Sequence, residues 1–204
     1  MDYLPDLSVY ALVDRSFDPT DGVGEARLRA VGWLDPQYSY PHSTDPPSDM
    51  LLDSLFLLRS AGTWKPLLGF YLFGYHRCLF CPDASEKEPT IVTHKGCRLE
   101  VGAGEIYVPG RHEVYVAPTL ILHYILAHGY RPPPEFCSAV IRSPIPGSRD
   151  YDRQMKRHGP AFFRWNPHDD DAPRWRQTVG RQMHRPWFRQ TALGRRLVRA
   201  VARL

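Results

Sequence analysis

Two cysteines three residues apart and two histidines five residues apart constrain this chain more than any other feature. Cys78 and Cys81 lie in Tyr75-His76-Arg77-Cys78-Leu79-Phe80-Cys81-Pro82, and His123 and His128 in Leu120-Ile121-Leu122-His123-Tyr124-Ile125-Leu126-Ala127-His128-Gly129. Thiolate with imidazole is a frequent donor set of closed tetrahedral zinc sites, and a Cys-x-x-Cys turn lets two sulfurs converge on one point. The four are read as ligands of one zinc ion that ties a turn to a helix. On a regular helix, residues five apart diverge by about 140°. His128 directly precedes Gly129, so it sits at a helix end, where the last turn can tighten or loosen.

The neighbours of these residues carry subsidiary expectations. Arg77 and His76 would favour the thiolate form. His76 is the alternative ligand. Glu105 is expected to be an exposed strand carboxylate or an outer partner of a ligand histidine, and in an open site it would serve as the base. Cys97 and Cys137 are expected to be packed thiols. Two competing readings remain: the cysteines and histidines as ordinary packed residues, or Cys78 and Cys81 as a redox pair, for which no thioredoxin-like βαβ pattern is present.

The wider sequence suits a small metal-tied domain. Twenty prolines in 204 residues predict many loops and few long helices. No run of 18 or more apolar residues occurs, so no membrane span is expected. The opening Met1-Asp2-Tyr3-Leu4-Pro5-Asp6 lacks the basic and apolar regions of a secretory signal, so a cytoplasmic location is expected. Nine of the 26 basic residues, all arginines, follow Ala172 with no acidic residue among them. That leaves 17 basic against 22 acidic groups in the first 171 residues, a net charge of −5. Such asymmetry marks an interaction segment.

Along the chain, Arg27 to Leu34 alternates like a half-buried strand ending at Asp35-Pro36, and residues 36–47 read as a proline-rich loop. Ser48 caps a helix with Leu51, Leu52, Leu55, Phe56 and Leu58 at helical spacing, stopped by Gly62. Strands are expected at Thr90–Thr93, Arg98–Val101, Glu105–Val108 and Glu113–Val116, separated by glycine-bearing turns. Pro118 fits the first turn of the histidine helix, Gly129 ends it, and Glu135–Ile141 begins another short helix. The fold class is α+β, a small antiparallel sheet or hairpins packed with two or three helices around a zinc-finger-like Cys2His2 site. The expected organisation is a zinc-binding domain over 1–146, a linker or poorly ordered excursion over 147–175, and a basic amphipathic helical tail over 176–204.

The motifs also carry a resemblance. Asp2-Tyr3-Leu4-Pro5-Asp6-Leu7-Ser8-x-Tyr10, Val31-Gly32-Trp33-Leu34, Tyr75-His76-x-Cys78-x-x-Cys81-Pro82 and Glu105-Ile106-x-Val108-Pro109-Gly110 resemble those of an uncharacterised bacterial family of unknown function. So do Tyr115-x-Ala117-Pro118 and His123-Tyr124-x-x-x-x-His128-x-Tyr130-x-Pro132-Pro133-x-x-Phe136. The resemblance covers about residues 1 to 142 and implies domain extent rather than activity.

Three functions follow as expectations. The first is a zinc-stabilised binding or regulatory domain without catalytic activity, recognising a protein partner through Tyr38, Tyr40, Trp64 and Tyr130 on loops; each of these aromatics, taken singly, more often packs in a core. No nucleophile elbow, phosphate loop or dinucleotide fingerprint occurs, and no small-molecule substrate is identified. The second is nucleic-acid binding through Arg181, Arg185, Arg189, Arg195, Arg196, Arg199 and Arg203, with Trp175, Trp187 and Phe188 interleaved for stacking. A membrane-surface role for that tail ranks lower. The third is a zinc-dependent hydrolase with an open metal position, using His76 or Glu105. His168-Asp169-Asp170-Asp171 reads as an exposed acidic loop.

Overall fold

A computed structural model of the chain describes residues 3–10, 28–62, 75–84, 88–146 and 148–158. The elements in order are β1 (Leu28–Ala30), α1 (Asp49–Gly62), β2 (Thr90–His94), β3 (Cys97–Val101), β4 (Glu105–Pro109), β5 (Val114–Pro118), α2 (Ile121–His128), α3 (Pro134–Arg142) and α4 (Arg149–His158). No helix among the described residues is long and apolar enough to cross a membrane.

Local chemistry accounts for most of these elements. Helix α1 follows Ser48, whose carbonyl accepts the Leu52 N–H at 3.0 Å. Asp49 in its first turn and Arg59 in its last complement the helix dipole. Leu51, Leu52, Leu55, Phe56 and Leu58 form its buried stripe. Strands β2 and β3 form an antiparallel hairpin in the register His94↔Cys97 and Thr90↔Val101. Lys95 and Gly96, both at positive φ (47° and 76°), make the two-residue turn whose twist matches paired strands.

The larger sheet has the order β1-β5-β4. Strand β4 pairs antiparallel with β5, Glu105↔Pro118 through Pro109↔Val114. Strand β1 runs parallel to β5, Leu28↔Val114 through Ala30↔Val116, a pairing added to the antiparallel sheet or hairpins that were expected. β5 is buried at every position, as a central strand covered on both faces must be. Alternation along the strands sends Ile106, Val108, Tyr115 and Ala117 into one core with α1, α2, α3 and the hairpin. On the opposite face Val114, Val116, Leu28, Ala30 and Tyr107 join Trp33, Tyr10, Tyr151 and Met155 in a second core.

Three sequence expectations change. Pro118 closes β5 instead of opening a helix; a strand terminus tolerates its missing N–H, and α2 begins three residues later. Pro134 opens α3, since the first helical position needs no intrahelical N–H bond. Residues 149–158, expected within a linker, form α4, with Tyr151 and Met155 buried one turn apart. The expected tail helix over 176–204 lies outside the described residues.

Candidate metal centre

The turn that carries the cysteines closes on itself: Cys81 N–H donates to the Cys78 carbonyl (3.3 Å) and Ala84 N–H to that of Cys81 (3.2 Å). It is anchored to the sheet by His76 N–H donating to the Gly102 carbonyl at 2.8 Å. Gly102, at φ +106°, comes so close that a Cβ there would lie 2.8 Å from the His76 oxygen. Gly102 N–H in turn donates to Thr119 Oγ1 (3.0 Å), just ahead of α2. The turn and the histidine helix are thus referenced to the same fully buried threonine.

Helix α2 brings in the histidines. Ile121, Leu122, Tyr124 and Ile125 face the core, leaving His123 and His128 half-buried toward the turn. Gly129, in the left-handed conformation at φ 62°, donates its N–H to the Tyr124 carbonyl, and Tyr130 N–H donates to the same oxygen at 3.0 Å. The last turn is therefore closed over five residues instead of four. Such widening brings residues five apart onto one face, which a regular helix does not.

The donor atoms converge. Cys78 Sγ lies 3.2 Å from His128 Nε2, Cys81 Sγ 3.3 Å from both His123 Nε2 and His128 Nε2, and the two Nε2 atoms 3.1 Å apart. All four donors lie within 4.8 Å of one another, a cluster able to hold a metal ion. A tetrahedral ion with bonds of about 2.3 Å to sulfur and about 2.0 Å to nitrogen separates sulfur from nitrogen by about 3.5 Å and nitrogens by about 3.3 Å. The residues fit such an ion.

The electrostatics fit as well. Burial, reinforced by the neighbouring His128, pushes the His123 imidazole down to about 4, and burial lowers that of His128. Both are held neutral at pH 7, as metal ligation requires. Burial, more than any other influence, pushes the Cys78 thiol up to about 11. The expected thiolate-favouring effect of Arg77 and His76 does not offset this burial, whereas a bound cation would favour the thiolate. Phe80, inside the cysteine turn, sets its ring 5.3 Å from His128 and 5.3 Å from Tyr40, covering one side of the cluster.

The other expected site residues lie elsewhere. His76 is outside the four-residue cluster. Glu105 accepts hydrogen bonds from Tyr10 and Tyr107 (2.5 Å to the latter) and borders the second core instead of a ligand histidine. Its strand position was legible, but Tyr10, 95 residues away, was not a visible partner. Of the aromatics expected on loops, Tyr38 is 52% exposed and stacks on Tyr3, whereas Tyr130 is 2% exposed and Tyr40 packs against Phe80. Tyr130 is buried because its hydroxyl donates to Asp6 at 2.8 Å. Cys97 is buried and Cys137 half-buried, as packed thiols. Trp64, Arg181, Arg185, Arg189, Arg195, Arg196, Arg199 and Arg203 lie outside the described residues.

No curated protein and no solved structure matches the chain. Residues 2–141, which contain all four clustered residues and end within α3, match the family described as Domain of unknown function (DUF7919), and the chain belongs to that family.

Proposed function

We propose that the chain is a zinc-stabilised binding domain in which the metal is structural and the partner is a protein. The observation that carries this reading is the closed donor set: four protein side chains converge within 4.8 Å, which fills a tetrahedral shell and leaves no position for a reactive water. Two thiolates with two imidazoles in that geometry favour zinc over harder divalent ions. When bound, zinc would offset the burial that disfavours the Cys78 thiolate and would hold the cysteine turn against α2.

The partner surface is the metal-bearing end. Leu79, in the cysteine turn, and Leu126, between the two histidines, are 41% and 37% exposed, although both are large apolar side chains beside a centre that fixes their backbone. Apolar groups presented on a rigid, metal-tied support suit protein recognition. Glu105 is engaged by two tyrosines, which supports this reading over a hydrolase that uses Glu105 as its base.

Elemental analysis of the purified chain, followed by thermal unfolding with and without a chelator, tests the reading. One zinc per chain and a melting transition that collapses on chelation support it. A metal-free folded chain, or one that keeps its transition after complete metal removal, refutes the structural role. Leu79→Asp with Leu126→Asp should leave zinc content unchanged while abolishing capture of whatever protein the wild-type chain retains.

A further inference from the structure

Strand β5 is buried on both faces, and the two faces are covered by different means. The first carries α1, α2 and nearly all of α3 from residues 2–141, the region the family defines. On the second, lined by Leu28, Ala30, Trp33, Tyr107, Val114 and Val116, the described cover comes from the N-terminal segment and α4. Helix α4 begins at Arg149, beyond the family region. A segment outside the family domain thus seals an apolar sheet face belonging to the domain.

The way α4 sits there is that of a docked peptide. Its sequence, Arg149-Asp150-Tyr151-Asp152-Arg153-Gln154-Met155-Lys156-Arg157-His158, is strongly polar. It inserts two side chains one turn apart, Tyr151 and Met155, both buried. Tyr151 Oη donates to the Tyr107 carbonyl of β4 at 2.9 Å, so a strand oxygen reads the helix's position. Ten residues make a marginal helix alone, so α4 owes its order to this contact. An aromatic and a flexible thioether at i and i+4 laid onto an apolar surface is the helix-in-groove mode of recognition.

We infer that the second sheet face of this chain is a helix-docking surface, and that α4 is its intramolecular occupant, displaceable by an amphipathic helix presenting an aromatic and an unbranched apolar side chain one turn apart. The surface lies on the far side of the sheet from the core that contains Cys78, so the inference stands independently of the metal.

The test uses the full, metal-loaded chain and a fluorescently labelled peptide of residues 148–158. In the variant Tyr151→Asp with Met155→Asp the face is vacated, and the peptide should bind it more than about tenfold more tightly than the wild type, whose site is self-occupied for most of the time. A peptide carrying Tyr151→Asp should not bind. Hydrogen exchange on the wild-type chain gives a reading that needs no variant: α4 amides should exchange well before those of β5. Folded variant that ignores the peptide, or α4 amides protected as strongly as β5, would overturn the inference.

Discussion

The Nε2 atoms of His123 and His128 lie 3.1 Å apart although the residues are five positions apart on one helix. The widened last turn of α2 permits this, and Gly129 permits the widened turn. A Cβ on residue 129 would meet the Ser43 carbonyl oxygen at 2.6 Å, at a backbone φ of +62°. Ser43 N–H donates to the Gly129 carbonyl at 2.9 Å, so the 36–47 loop cannot recede without losing that bond. Gly129→Ala should therefore cost about 2 kcal/mol or more, above the usual penalty for an L-residue in this conformation. It should also weaken metal retention, because His128 is the adjoining residue. Chelator competition alongside urea unfolding separates the two effects.

Loss of the thiols should act through folding. Cys78→Ser or Cys81→Ser should abolish stoichiometric metal and lower the melting temperature by about 10 °C or more, since binding to a site assembled only in the folded chain adds to folding free energy. Cys97→Ser, in the same core but outside the cluster, should keep the metal and lose only the modest stability expected of a buried hydroxyl. A double variant at residues 78 and 81 that still binds one ion per chain would remove the metal assignment.

How much of this was legible in the chain depends on whether the determining contact is local. The Lys95-Gly96 turn, α1 with its stripe, and the four converging Cys and His side chains are written in short-range pattern and donor chemistry. The parallel pairing of Ala30 with Val116 is not, because nothing local to either residue names the other. Helix α4 was hidden by its charge: Tyr151 and Met155 are two apolar positions among ten, and Pro146-Gly147 before them reads as linker. The distant partner of Glu105, Tyr10, was invisible for the same reason as the parallel pair. Tyr10 reaches that carboxylate only because the N-terminal segment pairs along β1, with Tyr10 N–H donating to the Leu28 carbonyl at 3.0 Å.

Glu105 gives the stability a pH dependence of definite sign. Burial raises its folded-state pKa above the ordinary value of 4.5, against the opposing hydrogen bonds from Tyr10 and Tyr107. The folded chain then binds more protons than the unfolded chain in the window above 4.5. The favourable contribution is complete below the unfolded pKa and is lost as pH rises through the folded one. Asp6 contributes in the same direction, again through burial. Glu105→Gln should flatten the decline of stability across this window, leaving the part due to Asp6. Urea unfolding at a series of pH values, wild type against variant, measures the difference; parallel curves would show that Glu105 does not carry it.

The β2–β3 hairpin is held to α1 by Asp53, and the two partners of that carboxylate should prove unequal. Asp53 Oδ1 lies 2.8 Å from His94 Nε2 and 3.1 Å from Lys95 Nζ, which also reaches Asp49 at 3.1 Å. The His94 and Asp53 side chains are 10% and 16% exposed, whereas Lys95 is 34% exposed. A charge-assisted bond out of water counts for more than a solvated ion pair. Asp53→Asn should cost about 1.5 kcal/mol or more, and Lys95→Ala about 0.5 kcal/mol. Raising the salt concentration should erase the Lys95 effect and leave most of the Asp53 effect, because buried pairs are screened less. Equal costs for the two variants, with equal salt dependence, would show that solvent reaches the His94–Asp53 contact as freely as it reaches Lys95.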